Sequence, residues 1–151
     1  MLRRYLASPR TNAVCAAMRQ SRQYLCRRIA RAAAGSDEEL ENGFPALVAS
    51  VEAGFRREEL AMEILRLPQL HQRRADNALI LEALHRAMPA VEKGDRVLVR
   101  EVVNALRDLL ELHRLSGDLA LTLALSARSC PARRTRGARR TLPMSQPDRS
   151  T

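Results

Sequence analysis

Apolar residues recur at three- and four-residue steps in four separate stretches of the chain, the spacing of one buried helical face. The first stretch runs from about Thr11, suited to N-capping, to Ala34 before Gly35, with Val14, Met18, Ser21, Leu25, Ile29 and Ala32 facing inward. The second follows Ser36, which with Glu39 three residues on makes a capping box, and runs to about Leu67 before Pro68. Its stripe passes from Phe44 through Val51, Phe55 and Glu58 to Leu65, and Asn42-Gly43 with Pro45 predict a break and restart near its beginning. The third spans about Gln69 to Met88, with Leu70, Arg73, Asn77, Ile80 and Leu84 on one line and Pro89 as its stop. After Lys93-Gly94-Asp95 the fourth runs from about Asp95 to Ala127 through Val99, Val103, Leu106, Leu110, His113, Gly117 and Leu121. Short connections make sequential helices antiparallel, so the pattern predicts an all-α, up-down-up-down four-helix bundle.

Composition supports this. The 151 residues suit one domain, and 46% are hydrophobic but only 3% aromatic, with no Trp. Sheet sandwiches and barrels lean on aromatic and β-branched residues, so Leu, Val, Ala and Met here favour helices. No apolar run approaches the ~18 residues of a membrane span, and a soluble, cytoplasmic protein is expected.

The net charge of +9 is unevenly spread. Residues 1–36 hold eight Arg and no acid, residues 37–127 eleven bases against sixteen acids, and residues 128–151 seven Arg and Asp148. The predicted organisation is a basic N-terminal arm over 1–11, the bundle over 12–127, and an Arg-rich, disordered tail over 128–151. The arm lacks the Ser enrichment of a transit peptide and the apolar segment of a secretory signal. Cys15, Cys26 and Cys130 are unclustered; the first two would lie about 16 Å apart along one helix, too far to bond. They read as idle thiols in a reducing compartment.

Four polar residues stand on faces that should be apolar: Glu58, Arg73, Asn77 and His113. Burying charge is costly unless it is paired or metal-bound. Antiparallel packing would bring all four to nearby levels, which predicts a shared polar site. Other candidates are weaker. Glu82 and His85 have the Glu-x-x-His spacing of ferritin-like sites, but such sites use two copies. His71 should point to solvent. No phosphate-cradling Gly-rich loop, paired Cys-x-x-Cys, His-Glu-x-x-His or nucleophile elbow occurs, so no enzyme is expected.

The run from Phe44 to Glu59, with Met62, Pro68 and Leu70, resembles the hemerythrin family. Its second helix carries V-E-x-H-F-x-x-E-E, followed by P-x-L-x-x-H-x-x-x-H, and its last helix carries H-x-x-x-x-D. The match spans roughly residues 12–125. The resemblance implies a four-helix bundle with a di-iron, oxygen-binding centre of five His, one Glu and one Asp. Carried over position by position, Glu58, His113 and Asp118 agree with the ligands, whereas the other four His fall at Met18, Gly54, Arg73 and Asn77.

Three readings follow. In the first, the chain is a non-catalytic binding or sensing module with a degenerate site and an unidentified protein partner. There Arg73 replaces the metal electrostatically, bridging Glu58 and Asp118 with Asn77 and His113 completing the hydrogen bonds. In the second, residual iron or mononuclear metal binding survives through Glu58, His113 and Asp118, with dioxygen as ligand. In the third, the Arg-rich ends attach to nucleic acid or an anionic surface.

Overall fold

A computed structural model describes residues 8–129 and folds them into four helices, α1 (Pro9–Ala34), α2 (Asp37–Ile64), α3 (Leu70–Glu92) and α4 (Arg96–Ser129), packed against each other. Residues 1–7 of the arm and 130–151 of the tail, with Cys130, lie outside the described residues. Among the described residues there is no strand, and no helix is long and apolar enough to cross a membrane.

Local chemistry sets most of the ends. Ser8 rather than Thr11 caps α1, accepting from the Thr11 amide at 3.2 Å with Pro9 in the first turn, where a missing N–H costs nothing. Ser36 and Glu39 form the capping box of α2. The α2 C-terminus closes in a Schellman motif at Leu65, two residues short of the predicted Leu67. There Arg66 takes the left-handed conformation (φ 52°) and the Leu67 amide reaches back to the Met62 carbonyl. Leu67 and Met62 share a core cluster, the apolar contact that accompanies this motif. Gly94 (φ 71°) ends α3 the same way, and the Asp95 side chain then accepts from the Leu98 amide to start α4.

Two predicted breaks do not occur. The α2 helix is continuous from Asp37 through Gly43 and Pro45, because Leu40, Phe44, Leu47 and Val48 are all buried on one unbroken line. Pro89 lies inside α3, which continues to Glu92. Ala87, Ala90 and Val91 pack against the main core there, and that burial outweighs the hydrogen bond a proline removes.

The α1 helix lies against α2 and α4, and α3 closes the other side against the same two helices. The C-terminal end of α1 meets the start of α4, where Arg100 donates to the carbonyls of Ala33 (2.8 Å) and Gly35 (3.0 Å) and pairs with Asp37. The apolar interior is in two parts. A larger cluster includes Leu25, Ile29, Phe44, Val51, Phe55 and Val103. A smaller one gathers Cys15, Met18, Met62, Leu65, Leu67 and Leu121. On every helix the residues between the two parts include polar ones, and that layer holds the candidate site.

Candidate functional site

The layer is built from single turns. On α1 it falls at Arg22, between Met18 and Leu25; on α2 at Glu58 and Glu59, between Phe55 and Met62. On α3 it falls at Arg73 and Asn77, and on α4 at His113, Gly117 and Asp118, between Leu110 and Leu121. Four helices thus deliver polar residues to one level of the bundle; the interruptions of the stripes predict this for α2, α3 and α4, and α1 joins through Arg22.

The central cation is Arg22, not Arg73. Its Nε and Nη2 donate to Glu58 Oε1 at 3.0 and 2.7 Å, and its Nη1 donates to Asp118 Oδ1 at 2.9 Å. Arg22 is 8% exposed, Glu58 11% and Asp118 30%, so the Glu58 half of the bridge is nearly dry and the Asp118 half reaches water. Distances under 3.0 Å mark charge-assisted hydrogen bonds. Arg73, 12% exposed, stands behind Glu58 with its Nε 3.7 Å from the same oxygen. Asp118 has a further cation in Arg114, 3.7 Å from its other oxygen.

Gly117 gives the guanidinium of the bridge its room. A Cβ at this position would lie 2.8 Å from the guanidinium carbon of Arg22 and 2.8 to 2.9 Å from its terminal nitrogens. The planar head of Arg22 therefore lies on bare helix backbone. Gly54 does the same for the apolar neighbour: a Cβ there would come within 3.0 Å of a methyl of Leu25.

Asn77 does not join the bridge. Its side-chain amide donates to Glu59 Oε1 at 2.8 Å, and its Oδ1 is buried with no hydrogen-bond partner among the described residues. An orphaned acceptor of this kind costs about 1–3 kcal/mol. Met18 is buried in the smaller apolar cluster. His71, Glu82 and His85 are exposed.

His113 lines a cleft of about 20 Å³ with Arg22, Cys26, Phe55, Glu58 and Arg114. That volume suits a single water-sized guest, far short of the ~300 Å³ at which organic ligand pockets begin. Burial pushes the Cys26 thiol up from its ordinary value, with Glu111 adding to the effect. It is therefore held as a neutral thiol, not as a nucleophile.

Burial pulls the His113 imidazole below its ordinary value of 6.5, helped by the Arg73 charge and, less, by Arg22, against the opposing pull of Asp76 and Glu58. A depressed folded-state value means that the unfolded chain binds the proton more readily. His113 thus contributes stability that is full above its unfolded value and is lost as pH falls through the lower folded value. Urea unfolding of His113→Gln beside the parent should show a shallower loss of stability from about pH 7 to about pH 5. Parallel curves would show that this imidazole is not the sensor.

Among the described residues no group of three or more His, Cys, Asp or Glu side chains could hold a metal ion. Glu58 and Asp118, the two carboxylates that the resemblance would make ligands, face a guanidinium instead, with a second one behind Glu58. A dication placed between them would meet Arg22 at hydrogen-bonding distance, and four of the seven positions that the resemblance would make donors carry Met, Gly, Arg and Asn. These residues do not fit a di-iron centre. Comparisons with protein-family models, with curated proteins and with solved structures find no match.

Proposed function

We propose that this chain is a hemerythrin-like bundle in which a buried guanidinium has taken the electrostatic place of a metal, leaving a non-catalytic binding or sensing module. The observation that carries the reading is the Arg22 bridge: one planar cation donates to Glu58 on α2 and Asp118 on α4, the two carboxylate positions of the family's ligand set. Up-down-up-down connectivity belongs to the same reading. It is supported by Arg100, early in α4, meeting Ala33 at the end of α1, while Arg22, earlier in α1, meets Asp118, later in α4.

In such a module the layer fixes how the helices align. Sliding one helix by a turn would leave Glu58 or Arg22 buried without its partner, and an unpaired buried charge is far costlier than the pair. The imidazole and the thiol at the cleft make the layer sensitive to its surroundings without giving it a reaction to perform. Chain purified aerobically after expression with iron supplied should contain no stoichiometric iron and show no oxo-to-iron charge-transfer band. Two irons per chain with that band would overturn the reading; one tightly held iron would favour residual mononuclear binding instead.

A second reading, attachment to an anionic surface, draws on α1. Arg27, Arg28 and Arg31 line an open cleft with Tyr24 on its outer side, and none of the three forms an ion pair among the described residues. Unneutralised arginines on one helix suit phosphate-rich partners. The arginines of residues 128–151 belong to this reading by sequence only.

A further inference from the structure

The core-facing line of α4 is accompanied by a second, largely apolar line that is mostly exposed, with only Val102 packed against the main core. It runs from Leu98 to Leu123 in steps of alternately four and three residues: 98, 102, 105, 109, 112, 116, 119, 123. Leu112, Leu119 and Leu123 are 65%, 61% and 61% exposed. Its Val102, Ala105 and Leu109, with Ala83 of α3, wall a groove of about 180 Å³ between α3 and α4. A strict seven-residue repeat held for nearly four heptads is the signature of a helix that packs on another helix. One apolar line satisfies a bundle core, and α4 carries two.

We propose that the second line is the interface of a homodimer, in which α4 of one copy packs antiparallel against α4 of another. The line is self-complementary about its midpoint, between residues 110 and 111, as a two-fold interface must be. In that alignment Leu109 meets Leu112 of the second copy, Val102 meets Leu119, and Leu98 meets Leu123. The two small residues, Ala105 and Ser116, meet each other. Along the outer flank Asp108 faces Leu115 and Glu101 faces Thr122, so no like charges oppose each other.

Charge also selects the antiparallel direction. The start of α4 lies at an acidic end of the bundle, where Asp37 and Glu41 pair with Arg100 and Arg96 and where Glu38, Glu39, Glu92 and Glu101 also stand. The other end of α4 leads into residues 128–151, with seven Arg and one Asp. A parallel pair would start two such basic segments from one end of the dimer; an antiparallel pair starts each from beside the acidic end of the other copy. Residues 1–7 and 130–151 of the same chain carry no apolar line to match the seam.

Sedimentation equilibrium of the full chain over micromolar to submillimolar concentrations should return a dimer. Leu112→Glu with Leu119→Glu, both at exposed positions, should raise the dissociation constant by at least roughly thirtyfold, the ratio that marks a hot spot, with helical circular dichroism unchanged. A monomer throughout, or a dimer indifferent to these substitutions, overturns the proposal. Cross-linking avoids reliance on the charged variant. In a Cys130→Ser background, copies carrying Ala105→Cys mixed with copies carrying Ser116→Cys should form the disulfide-linked dimer, and neither alone should do so. Cross-linking of each variant with itself would indicate a parallel pair and overturn the antiparallel assignment.

Discussion

Replacing Arg22 by Met is expected to lower folding stability by roughly 3–5 kcal/mol, the cost of breaking a buried ion pair from one side. Met keeps the apolar stem's length, so the loss falls on the charge rather than on a cavity. Glu58 would lose both of its close donors and keep only Arg73 at 3.7 Å. Asp118 is more exposed and lies near Arg114, so it should account for the smaller share. Urea unfolding should show the midpoint shift at constant slope, and Arg22→Met combined with Glu58→Leu should recover much of the loss. A cost under about 1 kcal/mol would place the bridge among ordinary surface pairs. Gly117→Ala gives a second handle. In the parent it forces the guanidinium aside and should destabilise; in the Arg22→Met chain it should stabilise by about 1 kcal/mol, the helix propensity glycine forgoes. That change of sign isolates the contact.

Phe55→Ala is expected to cost about 3–5 kcal/mol. The chain's two Phe, at 44 and 55, are both on α2 and are 0% and 2% exposed. Phe55 is also a wall of the cleft containing Glu58 and Cys26. Truncating it should therefore do more than empty a volume: water gains a path to the layer. The rate at which a thiol reagent labels Cys26 should rise, whereas Cys15, 1% exposed in the other cluster, should label no faster until global unfolding. Equal acceleration at both thiols would mean that the layer does not separate the two parts of the core.

Periodicity made the four helices legible because each must bury one face, and a face is written in spacing. Their ends were less so. Pro89 and Pro45 carry strong local stop signals, yet the packing of Ala87, Val91, Phe44 and Leu47 is a property of distant neighbours that no local rule contains. The polar layer was legible as interruptions at Glu58, Arg73, Asn77 and His113, but its central residue was not. The spacing predicts Ser21 on the inner face of α1, whereas the buried line runs Cys15, Met18, Arg22, Leu25, Ile29. The steps 18, 22, 25, 29 are as regular as those through 21. An arginine simply looks like a residue for the outside, and its carboxylate partners lie 36 and 96 residues away. The one signal that could have found it is Gly117, a missing side chain on the stripe of a facing helix. With Arg73 the residue type was right, and the helix was wrong.

The contact between Arg22 and Gly117 also makes the two positions interdependent. A methyl at 117 would meet the guanidinium at 2.8 Å, so the head group of Arg22 would have to move before the two could coexist. With no guanidinium there, glycine at 117 is only a loss of helix propensity. Which residue suits 117 is thus decided by a side chain on another helix.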